Sequence, residues 1–130
     1  MRRDDHCKLT RQELGRPFVD VHKWMDAFMP TLGPAHRKVR HHYQGILSCA
    51  DELKQRREYR YEALWADLAK AAALHVAQDM IKDGKQFPIP RREDYEYETN
   101  EGNVISDGFW PQVEPWSEPP KKPNFTQHAP

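Results

Sequence analysis

The sequence is poor in the residues on which several common chemistries depend. It has only two cysteines, Cys7 and Cys49, and no C-x-x-C pair, so the spacing favours reduced thiols in a cytosolic protein. Its six glycines are scattered and form no phosphate loop, so no nucleotide cofactor is expected. No apolar run approaches the roughly 20 residues that a bilayer requires, so no membrane span is predicted.

The balanced charge and the lack of catalytic motifs argue against further classes of protein. The 20 Lys and Arg residues balance the 20 Asp and Glu residues, which gives no general reason to expect nucleic-acid or membrane binding. No serine has a nucleophile-elbow context and no HExxH motif occurs, so neither a serine hydrolase nor a zincin is indicated. The opening MRRDDHC lacks an apolar segment and does not resemble a secretory signal.

The composition changes near Gly84. Eight of the eleven prolines and many aromatic residues lie between residues 85 and 130. Proline favours extended conformations and cannot continue a helix. We therefore predict an all-α protein, with a helical body over residues 1–84 and a long Pro- and aromatic-rich extended arm over residues 85–130.

Three main helices are predicted in the body from apolar residues that recur at intervals of three and four. They run roughly over residues 18–29, 35–56 and 60–82. A short helical turn at 10–14 is also predicted, because Thr10 and Glu13 have capping-box spacing.

Several histidines and aspartates fall on or beside the apolar faces of these helices. His22 and Asp26, like His75 and Asp79, are four residues apart and share one helical face. In an unbroken helix over 35–56, His42 lies in the apolar stripe and His36 near its edge. The same periodicity turns His41 toward solvent or a carboxylate partner. His6 and His128 lie near the termini, and no role is predicted for them.

Three interpretations of this set remain open. It can form a polar core in which each histidine bonds to a carboxylate or carbonyl, or it can bind a metal ion such as zinc, which takes N, O or S ligands. The predicted ligands are His22, His42, His75 and Asp79, with His36 and Asp26 as further members and Cys49 as a weaker candidate. Acid–base catalysis is a third interpretation. If the set serves a metal-dependent hydrolase, His41 or Asp26 would be its base.

A basic strip and the aromatic arm are candidates for partner binding. Arg37, Lys38 and Arg40 make a local positive strip. This strip could bind a phosphate backbone, an acidic partner or the acidic stretch of the arm. Alternatively, it is an ordinary solvated face of the helix. Aromatic residues in the arm suggest docking onto a protein partner or larger assembly. The predicted contact residues are Arg37, Arg40, Phe109, Trp110 and Trp116.

Three stretches resemble a family of small bacterial and phage proteins classed only as a domain of unknown function. They are VHKWMD at 21–26, HRKVRHHYQGI at 36–46 and LHVAQDMIKDGKQFPIPRREDY at 74–95. The family pattern is H-x-W-[FL]-D, then H-R-x-x-R-H-H-x-x-G-I, then H-V-x-x-D with a G-x-I-P segment. Residues 50–73 depart from it, because a short turn with Gly and Asn is expected there. The resemblance implies no established activity, but it makes the His/Asp set a shared site.

The resemblance also implies a bacterial, plasmid or phage origin, with a cytoplasmic or virion-associated location. The leading functional expectation is a non-enzymatic accessory protein of a phage or mobile element, which docks onto an assembly through residues 85–130. The alternatives are a metal-dependent hydrolase that uses the His/Asp set, and an inhibitor or adaptor that binds a nucleic-acid-processing complex through the strip at Arg37–Arg40.

Overall fold

The computed structural model describes residues 2–82, 89–92, 94 and 113–119, and the regular secondary structure of these residues is helical, with no strand among them. The all-α prediction is confirmed. The helices are α1 (Arg3–Leu14), α2 (Val19–Met25), α3 (Met29–Leu32), α4 (His36–Arg40), α5 (Tyr43–Leu53) and α6 (Trp65–Lys82). Short 3-10 turns occupy Gly33–Ala35, Arg57–Tyr59 and Glu62–Leu64. None of the described helices is both long enough and apolar enough to cross a membrane.

Helix α1 is longer than the turn predicted at 10–14. It ends at Gly15, which adopts a left-handed φ of 83° and donates its N–H to Arg11 O at 2.9 Å. Thr10 therefore lies inside the helix, so the predicted capping box is wrong. The early start of α1 places His6 and Thr10 four residues apart on one buried face.

Helix α2 is shorter than predicted. It begins after Phe18, whose left-handed φ of 49° is unusual for a bulky residue and is held by burial of its ring. It ends at Met25, where the N–H of Asp26 still bonds to His22 O at 3.2 Å. The chain then turns into α3, so the Asp26 carboxylate extends from the end of a helix.

The helix predicted over 35–56 is broken at His41 and His42. His42 is extended, with φ −158° and ψ 178°, and acts as the N-cap of α5. The junction is tight: a Cβ on Gly45 would overlap the carbonyl group of Arg40, so glycine is required there. The break turns His41 inward, where it is 1% exposed and lies 3.2 Å from Asp26 Oδ1. The predicted solvent-facing position is therefore wrong, and the predicted alternative of a carboxylate partner is confirmed.

The apolar core lies mainly between α5 and α6, with α2 packed on both. Its fully buried members include Val21, Met25, Cys49, Leu53 and Leu68. Helix α6 begins at Trp65 and continues to Lys82, so it carries His75 and Asp79 on one regular face, as predicted.

Part of the arm is bound to the body. The Arg40 guanidinium lies 3.5 Å over the Trp24 ring and donates to Trp24 O, Pro115 O and Ser117 O at 2.6, 2.8 and 2.9 Å. Arg40 is 2% exposed, so its predicted place on a surface strip is wrong. Arg37 is partly buried, and Phe109 and Trp110 lie outside the described residues. Trp116 is 65% exposed.

Candidate metal centre

Three imidazoles converge on one oxygen of Asp26. The Nε2 atoms of His36, His41 and His75 lie 3.3, 3.2 and 3.1 Å from Asp26 Oδ1. They come from the start of α4, the α4–α5 junction and α6 respectively. The side chain of Asp26 is 27% exposed, so it forms the outer edge of an otherwise buried cluster.

Asp79 forms a second, deeper point of convergence. Its Oδ1 lies 3.1 Å from His6 Nε2, and its Oδ2 lies 3.5 Å from both His41 Nδ1 and His75 Nε2. One ligand atom from each of Asp26, His41, His75 and Asp79 lies within 4.8 Å of the others. We call these four residues the metal centre, and they draw on α2, the α4–α5 junction and α6.

The outer nitrogens of three histidines are fixed by oxygen acceptors. His36 Nδ1–H donates to Gly33 O at 2.7 Å, and His41 Nε2–H donates to Met25 O at 3.0 Å. His6 Nδ1–H donates to Gln78 Oε1 at 2.7 Å. This pattern, in which a carbonyl oxygen fixes the tautomer of a ring, is typical of histidines that bind a metal through their other nitrogen.

These bonds determine what the inner nitrogens present. In a neutral imidazole, one nitrogen donates and the other has only a lone pair. The lone pairs of His6 Nε2, His36 Nε2 and His41 Nδ1 therefore face carboxylate oxygens, which are also acceptors. Two facing acceptors repel each other, and either a second ring proton or a metal ion between them would relieve this repulsion.

A fourth histidine is oriented by a chain of side chains. Thr10 Oγ1 lies 2.9 Å from His22 Nε2, and His22 Nδ1 lies 2.9 Å from His75 Nδ1. If Thr10 accepts from His22, then His75 Nδ1–H donates to His22 Nδ1. In that arrangement His75 Nε2 presents a lone pair to Asp26 and Asp79. In that arrangement, the hydrogen bonds through Thr10 and His22 orient the His75 ring, as the backbone carbonyl groups orient His36 and His41.

Burial fixes the charge states of the cluster. Burial lowers the pKa of His22 to about 3 and that of His41 to about 4, and it also lowers the pKa of His75. Burial alone would raise the pKa of Asp26, but the surrounding histidines His36, His41 and His75 hold it well below its usual range. Burial likewise opposes ionisation of Asp79, but His6 and the other nearby histidines hold its pKa low. Neutral imidazoles and ionised carboxylates are the states that bind metal ions.

A second group of histidines is less suited to a metal. His6, His22 and His75 also lie within ligand distance of one another. However, the His6 ring stacks on His75 with centroids 3.9 Å apart and an angle of 20°. Ring nitrogens bind in the plane of the ring, so stacked rings do not direct their lone pairs at one point. By contrast, the His41 and His75 rings are nearly perpendicular, at 87°.

The structure brings together most of the predicted ligands and separates one. His22, His36, His75, Asp26 and Asp79 lie in the cluster. His42 does not: its Nδ1 accepts from Gly45 N–H at 3.1 Å, and its Nε2 donates to Lys38 O at 3.0 Å. The Nδ1 of His42 therefore caps α5 and its Nε2 binds a carbonyl of α4, which corrects its predicted role as a ligand.

Sequence reasoning missed two members of the cluster, and it named Cys49 as a candidate although Cys49 is not a member. His6 enters the cluster from α1, and His41 enters through the break between α4 and α5. Cys49 packs in the apolar core, where burial raises the pKa of its thiol to about 12, so a thiolate ligand is not formed. The four-residue spacing of His6 and Thr10 is a signal that could have identified α1 as part of the site.

A scan against family models, a search of curated proteins and a search of solved structures found no match for this chain. The family resemblance therefore remains a prediction from sequence motifs.

Proposed function

We propose that this protein binds one divalent transition-metal ion in the centre formed by Asp26, His41, His75 and Asp79. The observation that carries the proposal is the meeting of imidazole lone pairs and carboxylate oxygens in a buried site, with the outer ring nitrogens held by acceptors. An ion there would join α2, the α4–α5 junction and α6. His6 and His36 flank the carboxylates as further donors.

Charge balance favours a metal ion over extra protons. Protons alone would have to make several buried imidazoles cationic, and burial opposes this, as the low pKa of His41 indicates. A single divalent ion balances the two carboxylates and leaves the imidazoles neutral. Burying an uncompensated charge costs several kcal/mol, so the neutral combination is the more stable one.

The donor set limits the choice of metal. All of the ligands offer nitrogen or oxygen, and no thiolate is present among the described residues of the cluster. Imidazole with carboxylate suits Zn²⁺ and also Fe²⁺, Mn²⁺ or Ni²⁺, whereas soft ions such as Cu⁺ prefer sulfur. Zinc therefore remains a candidate within this broader class.

Metal-assisted hydrolysis is a second candidate, and the exposure of Asp26 favours it. Catalytic zinc sites keep three protein ligands and one position for water. His41, His75 and Asp79 can supply the three ligands. Asp26 at the exposed edge can then serve as the base for a metal-bound water. His41 is not available as the base, because its two nitrogens face Met25 O and Asp79.

The contacts of the described arm residues do not bear on the predicted accessory role. Residues 113–119 contact Arg40 of the body and Arg92 of the arm itself. Arg40 is also unavailable for the predicted nucleic-acid strip. A role in a phage or mobile element therefore remains a prediction from the resemblance.

Calorimetric titration with Zn²⁺, Mn²⁺ and Fe²⁺ tests the proposed site. We expect about one ion per chain for at least one of these metals, with an increase in unfolding temperature. His75→Ala and Asp79→Asn should abolish tight binding. Asp51→Asn is the matched control, since Asp51 is exposed on α5 and should bind as the parent does. A folded parent protein that binds none of these ions would overturn the proposal.

A further inference from the structure

A basic groove lies directly over the exposed edge of the metal centre. Its volume is about 800 Å³, and it lies between the start of α1, α2 and the turn into α3. Arg2, Arg3 and Lys23 line it, all of them exposed, and Asp26 and His22 lie in it as well. None of these three cations forms an ion pair in the part of the chain that the structure describes.

We infer that this groove binds a small phosphate ester, whose phosphoryl oxygens contact the three cations and reach the metal ion beside Asp26. The inference rests on the proposed metal site. Three cations line the groove with a single carboxylate, and a divalent ion below Asp26 would make it more positive. Guanidinium groups match phosphate and carboxylate oxygens in a two-pronged geometry, and three cations favour the greater negative charge of a phosphate ester over the single charge of a carboxylate or halide.

The apolar lining of the groove fits the organic part of such an ester. Ala27, Met29 and Pro30 supply this lining, and Met29 is 55% exposed. A volume of this order suits a small molecule that combines an apolar group with a charged one. Asp4 and Asp5 follow the arginines in the first turn of α1 and are exposed, so the positive surface is short. An extended polyanion would meet these carboxylates.

Binding of phenyl phosphate to metal-loaded protein, measured by calorimetry, tests the inference. We expect saturable binding that weakens about tenfold in Arg3→Gln and in Lys23→Gln, because each loses one charged hydrogen bond. Arg11→Gln is the matched control, since Arg11 is exposed near the other end of α1 and does not line the groove. Binding should also weaken when the metal is removed with a chelator.

Metal content, measured on the same samples, separates the two proposals. Samples that hold metal but do not bind phenyl phosphate overturn this inference and leave the metal site intact. Samples that hold no metal overturn the proposed function and, with it, the inference. Equal binding of benzoate, equal loss in Arg11→Gln, or tighter binding of a short RNA would also overturn the assignment of a small phosphate ester.

Discussion

Replacing Asp26 by asparagine distinguishes a metal centre from a polar core. The change keeps the shape of the side chain and removes one negative charge at the point where three imidazole nitrogens lie within 3.3 Å. In a polar core the charge stabilises the fold at all times. In a metal centre its main role begins when the ion binds.

The stability lost in Asp26→Asn should be much larger with metal bound than without it. With metal bound, we expect the Asp26→Asn change to weaken affinity about 100-fold, which removes about 2.7 kcal/mol of stability at saturating metal. That is roughly 10 °C in unfolding temperature for a chain of this size. Without metal, the loss of charged acceptor strength is offset because the new amide can donate to the lone pair of His36 Nε2. The net cost should then stay below about 1 kcal/mol.

Urea unfolding with excess Zn²⁺ and with a chelator measures both values. The Asp51→Asn control should shift stability by less than about 0.5 kcal/mol in either condition, because Asp51 is exposed. An equal cost for Asp26→Asn with and without metal would refute the metal centre and support a hydrogen-bonded polar core.

Three further predictions follow from the surrounding structure. Gly45→Ala should lower the free energy of unfolding by about 1–3 kcal/mol and weaken metal binding, because the new Cβ would push against the Arg40 carbonyl and displace His41. Unchanged metal affinity in a destabilised variant would contradict the assignment of His41 to the metal centre. Arg40→Lys should speed chymotrypsin cleavage at Trp116 several-fold, because one ammonium cannot serve three carbonyl groups; an unchanged cleavage rate would show that the arm is held otherwise. Burial lowers the pKa of His42 from 6.5 to about 4, so its contribution to stability is complete above pH 6.5 and is lost as the pH falls toward 4. His42→Asn keeps a capping side chain that does not titrate, so urea unfolding should show a weaker pH dependence; an identical pH profile would contradict this role.

Regular helices explain which site residues the sequence could predict. Helix α6 is unbroken, so the four-residue spacing of His75 and Asp79 correctly placed both on one inner face. The pair His22 and Asp26 also meets the cluster, although Asp26 does so from the C-cap of α2 rather than from within a helix. In both pairs, the four-residue spacing was enough to predict that the two side chains reach the same region of the site.

Breaks in the helices explain what the sequence could not predict. A continuous helix over 35–56 would turn His41 outward, but the extended conformation of His42 reverses the two positions. The signal was Gly45, whose close approach to the Arg40 carbonyl is a tertiary constraint that helical periodicity does not contain. His6 was missed for a similar reason, since the length of α1 depends on packing against α2 and α6.

The most direct measurement is an anomalous diffraction map of crystals grown with Zn²⁺. The metal centre requires a peak about 2.0–2.2 Å from donor atoms of Asp26, His41, His75 and Asp79. Anomalous peaks only on the protein surface, with the four side chains bonded directly to one another, would contradict it.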